Sequence, residues 1–526
     1  MEGSVQTKPV FVSKQSSGPG FFKLLLASIL GVFIAGMLVF FLFSMIAGAA
    51  LAGSSAPAVP ANGILKLNLN FSVYEQTHKG LPDNISPLNF DLSNDPGLND
   101  IVAAIDHAAD NDRIKGIMLE LGMNSIGYTG LLEIRNALER FKAKEKFVVA
   151  YGQTISQRAY YLGSVADKVY LHPTGLIELK GLNAELSFYK GALEKLGVEV
   201  QVFYDGRFKS ATEPFRLEKM SDNNRLQLRE FLDEIWGQLR ASMAEGRDMN
   251  PAAIQAVADG LKAFQPKSAL KAGIVDALLF EDEVWEELAG RIGADEDKKL
   301  PFIGLSSYLS ASKINGKTKG KKKDSKVAII YAEGNIIDGE ASPGSIGGAT
   351  VAKLVRKARQ DETVKAVVLR VNSGGGSALA SDVIWREVDM VAKEKTLIVS
   401  MGDLAASGGY YIAAPADYIV AQPNTLTGSI GVFFMLPNLS GLMEDKLGIN
   451  SDTVMTGAMA DFPTTNRAVS PEQGVVLQGF VDSTYVDFKR KVAEGRSLSM
   501  ESVESIAQGR IWTGTQAIEN GLVDEL

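Results

Sequence analysis

Residues 401–412, Met-Gly-Asp-Leu-Ala-Ala-Ser-Gly-Gly-Tyr-Tyr-Ile, hold a single serine, Ser407, among small neighbours. The stretch follows Thr396–Ser400, which reads as a strand, and opens into Tyr410–Ala414, which reads as the start of a helix. A strand-to-helix turn of small residues exposes a hydroxyl and aims backbone N–H groups at whatever that hydroxyl attacks. The pattern Ala405-Ala-Ser-Gly-Gly409 is not the G-x-S-x-G elbow, and a serine among small residues equally suits tight packing. Upstream, the strand-like Ala366–Val371 runs into Asn372-Ser-Gly-Gly-Gly-Ser377. Three glycines between a strand and a helix allow close backbone approach and turn N–H groups toward a ligand.

A serine hydroxyl needs a base before it can attack an amide. The chain has no cysteine, which excludes thiol nucleophiles and thiolate metal sites. It has three histidines, His78, His107 and His172; none lies in either motif or in a metal-ligand spacing such as H-E-x-x-H. No metal or other cofactor is expected. The net charge of −8 argues against nucleic acid as a partner.

The elements that must position Ser407 alternate between strands and helices. Ile64–Phe71, Gly116–Leu121 and Phe147–Ala150 read as strands, and Ile101–Ala109 and Gly130–Phe141 as helices, a pattern that implies an α/β fold. The chain then repeats itself. A shift of 250 residues lays Lys115-Gly-Ile-Met-Leu on Lys365-Ala-Val-Val-Leu, Tyr160-Tyr161 on Tyr410-Tyr411, Ala166-Asp167 on Ala416-Asp417 and Gly181 on Gly431. With a one-residue adjustment Lys195-Leu-Gly197 meets Lys446-Leu-Gly448, and later Gly273-Ile-Val-Asp276 meets Gly521-Leu-Val-Asp524. Matches in one order at a nearly constant offset indicate two copies of one domain. The expected organisation is a tail and anchor over 1–52, a first repeat over 56–312, a basic linker over 313–326 and a second repeat over 327–526. The lysine-rich linker reads as solvated, with contact to a membrane surface as the alternative.

The copies differ where chemistry would need them to. Ser407 in the second falls on Gln157 in the first, and the glycine turn on Asn124-Ser-Ile126. Conversely Lys209, in Gly206-Arg-Phe-Lys-Ser-Ala211, falls on Ala460. Most lysines are simply solvated, but a serine in one half and a lysine in the other is what a split Ser–Lys dyad would leave. A lysine serves as base only when neutral, which requires a pKa lowered from about 10.4 to roughly 7–8. Burial at an interface between the halves would supply that, with Arg207 nearby as a further contributor.

Gly402-Asp-Leu-Ala-Ala-Ser-Gly-Gly-Tyr-Tyr411, Thr427-Gly-Ser-Ile-Gly-Val432 and Gly206–Ala211 together resemble the signal peptide peptidase A (protease IV) family, in its long, duplicated, membrane-anchored bacterial form. The resemblance covers nearly all of the chain after the anchor. It implies tandem domains similar to Clp-type peptidases and crotonases, a Ser–Lys dyad of Ser407 as nucleophile and Lys209 as general base, and homo-oligomers, a tetrameric ring in that family. It further implies an oxyanion hole from the backbone at Gly408 and at Gly374 or Gly375, with Ser429 orienting the lysine amine. The family turn usually reads Asn-Ser-Pro-Gly-Gly-Ser; here Gly374 stands in place of the proline, at some cost in rigidity.

Phe21–Leu51 is almost unbroken apolar sequence, longer than the roughly 20 residues that cross a bilayer and than the h-region of a cleaved signal, about 7–15 residues. Lys8, Lys14 and Lys23 keep the N-terminus cytoplasmic and send the bulk of the chain across the bacterial inner membrane. The leading expectation is a membrane-anchored serine endopeptidase for hydrophobic peptides such as cleaved signal peptides. An inert scaffold on the same fold and a crotonase-like acyl-CoA enzyme are the rivals, and retention of both Ser407 and Lys209 counts against them.

Overall fold

The computed structural model describes residues 20–52, 58–77, 95–294, 299–312 and 325–526. The chain forms two compact units, Met1–Ala58 and Val59–Leu526. In the first, Phe21–Ala52 is one continuous helix. Its side chains are described at Leu25, Leu26 and residues 28–42, and among the described residues no helix is long and apolar enough to cross a membrane. His78 and most of the basic linker lie outside the described residues.

The second unit contains two parallel-stranded sheets. Its strands are β1 (Gly63–Asn68), β2 (Ile114–Leu121), β3 (Phe147–Ile155), β4 (Lys168–Ile177), β5 (Glu199–Asp205), β6 (Ala277–Leu278), β7 (Phe302–Gly304), β8 (Lys326–Glu333), β9 (Asn335–Ile337), β10 (Ser345–Gly347), β11 (Val364–Ser373), β12 (Thr396–Ala406), β13 (Tyr418–Val420), β14 (Leu426–Gly428), β15 (Val432–Asn438) and β16 (Ile511–Thr513). The first sheet runs β6-β4-β3-β2-β1-β7, parallel throughout. The second runs β16-β14-β12-β11-β8, with β13 also on β12 and only β16 antiparallel.

β2 pairs with β3 from Gly116↔Phe147, and β11 with β12 from Ala366↔Thr396. The connecting helices, Tyr128–Lys142 and Ala378–Glu394, follow the same strands in the two halves. Central-strand segments such as Val367–Leu369 read as apolar runs because helices cover the sheet, and each half has its own core. Two expected boundaries move: β12 continues six residues past Ser400, and the next helix begins at Gly408, directly after Ser407.

One element crosses between the halves. β5 of the first pairs antiparallel with β15 of the second, from Glu199↔Asn438 to Asp205↔Val432. β5 leads into Gly206–Lys209, and β15 begins three residues after Ser429. The ladder therefore draws the end of one copy's strand to the turn of the other.

Candidate active site

Ser407 sits between β12 and the helix Gly408–Ala413, with φ 53° and ψ −121°. A non-glycine residue held there costs about 1–3 kcal/mol and persists only where surrounding bonds over-determine it. Its N–H donates to Gly428 O at 2.8 Å, and its carbonyl accepts from Tyr411 N–H at 2.9 Å. The result is a half-buried hydroxyl at the carboxyl edge of the sheet, with the N-terminal amides of a short helix behind it.

The glycine turn closes against it. Gly375 (φ +98°) comes so near that a β-carbon there would lie 2.5 Å from Gly408 N and 2.9 Å from Ser407 Cβ. Only glycine fits, for both conformation and space. Gly376 takes φ +153°, and its added carbon would meet Ile336 O at 2.0 Å. Gly374, in the family's proline position, is less constrained: a β-carbon meets only Leu404 Cδ1, at 3.9 Å. The Gly375 N–H donates to Ser373 Oγ at 3.1 Å.

Lys209 arrives from the other half. It follows β5 through Gly206 (φ +106°), and the loop 508–510 of the second half clamps it: Phe208 N–H donates to Gln508 O at 2.8 Å. A β-carbon on Gly509 would lie 2.7 Å from Lys209 Cβ. The Lys209 side chain is 5% exposed. Its Nζ lies 3.1 Å from Ser407 Oγ, 3.0 Å from Ser429 O and 3.1 Å from Ser429 Oγ. Burial lowers its pKa to about 7. The anticipated help from Arg207 is absent: that residue is exposed, its guanidinium lies against the Phe208 ring, and desolvation alone accounts for the shift. Ser429, also left-handed at φ 51°, is fixed by donation of its N–H to Arg510 O at 2.7 Å.

A neutral amine has two N–H donors and one lone pair. The Ser429 carbonyl can only accept, and Ser429 Oγ accepts the second N–H. The lone pair is then left for the Ser407 hydroxyl. The arrangement can take a proton from Ser407 and return it elsewhere. His107 bonds Tyr308 Oη and His172 packs on Phe280, so neither is the base here. Among the described residues no cluster of His, Asp or Glu could hold a metal.

The profile of peptidase family S49 matches residues 140–295 and 389–526, more than half of the chain. Protease 4 of Haemophilus influenzae is 36% identical over 487 residues, 90% of this chain and 78% of its own length. The chain belongs to peptidase family S49. It is a serine peptidase. Protease 4 of Salmonella typhi is 39% identical over 438 residues, 82% of this chain and 70% of its own, and the chloroplastic serine protease SPPA of Arabidopsis thaliana is 34% identical over 424 residues, 79% and 62%. A ClpP1 mutant from Listeria monocytogenes covers 38% of this chain at 16% identity and a TM-score of 0.25, too low to bear on the architecture.

Within this S49 chain the two halves differ at the matching place. Gln157, where the second half has Ser407, is buried and accepts from the N–H groups of Lys180 and Gly181 while donating to Gly181 O. Its amide closes the position. Ala460, opposite number to Lys209, is exposed. Sequence reasoning did not single out the clamp at Gln508–Gly509, which carries no chemistry of its own; the glycine pair Gly206 and Gly509 was its only trace.

Proposed function

We propose that this protein is a membrane-anchored endopeptidase that cleaves apolar peptides, such as signal peptides left after secretion, with Ser407 as nucleophile and Lys209 as general base. The observation that carries the reading is the 3.1 Å contact between a buried lysine amine of one half and the serine hydroxyl of the other. Ser407 Oγ attacks the scissile carbonyl as Lys209 Nζ takes its proton. The oxyanion develops toward the backbone at Gly408 and at Gly374 or Gly375, where each donor contributes about 2.7–4 kcal/mol. The protonated Lys209 then gives its proton to the leaving amine, and water resolves the acyl-enzyme by the same path. Ser429 orients the amine throughout. The exposed Leu404, whose Cδ1 lies 3.9 Å from where a β-carbon on Gly374 would stand, favours an apolar substrate.

The remaining assignments rest on the sequence. Tandem repeats over 56–312 and 327–526 are supported by the 250-residue shift and by the parallel pairing of β2 with β3 and of β11 with β12, and their Clp-type character rests on the family resemblance. The helix Phe21–Ala52 would hold the chain in a bacterial inner membrane in a single pass, with the catalytic part outside the cytoplasm. A homo-oligomer, a ring of four, has a pairing at hand. The shift carries β15 back onto 182–188 and β5 forward onto 450–456. Both segments lie outside helices and strands, and among the described residues neither has a backbone–backbone hydrogen-bond partner. Repeating the β5–β15 register between copies would set Asn450 against the partner subunit's Phe188.

The test is hydrolysis of a chromogenic apolar peptide by the full chain. Ser407→Ala and Lys209→Ala should each abolish turnover by about 10³-fold or more. Wild-type rates in either variant would remove that residue from the chemistry.

A further inference from the structure

Asn372 stands where β11 ends and the glycine turn begins, and its side chain holds two elements at once. Its Oδ1 accepts from Leu404 N–H at 3.1 Å, three residues before Ser407. Its Nδ2 donates to Glu75 Oε1 at 2.9 Å. Glu75 comes from the first half, from the segment after β1, and is 5% exposed. Its second oxygen accepts from Arg370 Nε at 2.9 Å, and its N–H donates to the Glu333 carboxylate at 3.0 Å. The backbone of β12 seals the pair: a β-carbon on Gly402 would lie 2.6 Å from Glu75 Oε1 and 3.0 Å from Asn372 Cγ. Neither side chain has room to swing.

The chain of contacts continues to the nucleophile. Ser373, next to Asn372, donates to Gly334 O at 2.6 Å and accepts the Gly375 N–H. Gly375 in turn lies against Gly408 N and Ser407 Cβ. A carboxylate of the first half thus fixes the base of the turn that faces the second half's serine. Docking of the halves does not depend on it. Arg370 also binds Glu133 at 2.7 Å, Asp403 accepts from Thr129 N–H at 2.9 Å, and the β5–β15 ladder is separate. The other charged groups around Glu75 are Arg370, Glu133 and Asp403, with Glu333 on its backbone N–H. Burial pushes Glu333 up to about 7, and burial raises Glu75 as well, opposed there by Arg370, while the arginine and the Asn372 amide remain its hydrogen-bond partners.

We propose that Glu75 is a positioning residue: through Asn372 it sets the spacing between the glycine turn and Ser407, and so the alignment of the oxyanion donors. The inference rests on the Ser407 chemistry proposed above.

The experiment measures kcat and KM for an apolar chromogenic peptide between pH 5.5 and 9, with the full chain and the variants Glu75→Ala, Glu75→Gln, Asn372→Ala and Glu75→Ala/Asn372→Ala. Misaligned oxyanion donors should lower kcat by about 10–100-fold in Glu75→Ala and Asn372→Ala, with KM within about two-fold. The double variant should be no worse than the poorer single one, because both changes break one linkage. The acid limb near pH 7 should stay in place, because Lys209 is seated by the clamp at 508–510. Glu75→Gln, which keeps an acceptor for Asn372, should recover much of the loss, and Glu133→Gln, on the same arginine, should change kcat by less than about three-fold. Wild-type kcat in Glu75→Ala, additive losses in the double variant, or an acid limb that moves with the loss of rate would each overturn the proposal. Should Glu75→Ala fail to fold, Asn372→Ala and Glu75→Gln decide: normal kcat in both overturns it. An active Ser407→Ala would instead sink the underlying mechanism, whereas an inactive Ser407→Ala beside a fully active Glu75→Ala would sink this inference alone.

Discussion

Replacing Lys209 by methionine keeps length and apolar bulk but removes the titrating amine, and its consequence for stability has a definite sign. Burial lowers the Lys209 pKa from 10.5 to about 7, so the folded chain binds this proton more weakly than the unfolded chain. The penalty is absent above pH 10.5, grows as pH falls, and is fully present below about 7. A gap of about 3.5 between the two values, at about 1.36 kcal/mol each, corresponds to about 5 kcal/mol. With Lys209 5% exposed, little solvent screening reduces it. Lys209→Met should therefore gain stability over the wild type as pH falls, by about 3 kcal/mol more at pH 6 than at pH 9.5. The bonds from Nζ to Ser429 are lost at every pH and set only the offset. Urea denaturation of both proteins across that range measures the difference, and the other titrating groups cancel in it. A difference that stays flat within about 1 kcal/mol would mean that Lys209 is not held neutral by burial, and the general-base argument would go with it.

The same titration governs activity. In the wild type, kcat/KM should rise about tenfold per pH unit below 7 and level off above it, since only the neutral amine can take the Ser407 proton; a rate independent of pH from 5.5 to 8 would contradict this. Gly375→Ala should cost about 100-fold in kcat, because its methyl would sit 2.5 Å from Gly408 N at φ +98°; steady-state kinetics with a thermal melt separates this from unfolding. Ser429→Ala removes one acceptor of the lysine amine and should lower kcat by about tenfold while Lys209 stays buried, checked by kinetics and the position of the acid limb. Thr453→Pro, in the segment 450–456, should dissociate the oligomer while the separated chain keeps its native circular-dichroism spectrum, and light scattering showing unchanged mass would refute the strand pairing proposed between copies.

The two-fold repetition was legible because burying a parallel sheet on both faces constrains residue types strongly. Ile-Met-Leu answers Val-Val-Leu and Tyr-Tyr answers Tyr-Tyr in register, and the strands that carry the first pair, β2 and β11, each pair in parallel with the next long strand. Ser407 and the glycine turn stood out through local backbone demands: positive φ and close approach leave glycine and small residues as a mark. Lys209 emerged only because its counterpart, Ala460, lacks the amine. Glu75 left no such mark, Asn372 showed only as the first residue of the glycine turn, and the clamp at Gln508–Gly509 only as the glycine pair Gly206 and Gly509. Each acts through a partner far away in the chain, and a single buried glutamate or glutamine has no spacing that distinguishes it from a solvated one. Arg207 shows the opposite failure, since proximity in sequence to Lys209 suggested an electrostatic role that an outward-pointing side chain cannot have.

An α/β alternation, a serine on a strand-to-helix turn and a long apolar segment at the N-terminus follow from residue type and period, because those properties are local. The environment of Lys209 does not. Its shifted pKa arises from the loss of water where two halves meet, and its 3.1 Å approach to Ser407 from a ladder that joins residue 199 to residue 438. Desolvation and distance are properties of what packs around a group, so they exist only once the chain has closed on itself.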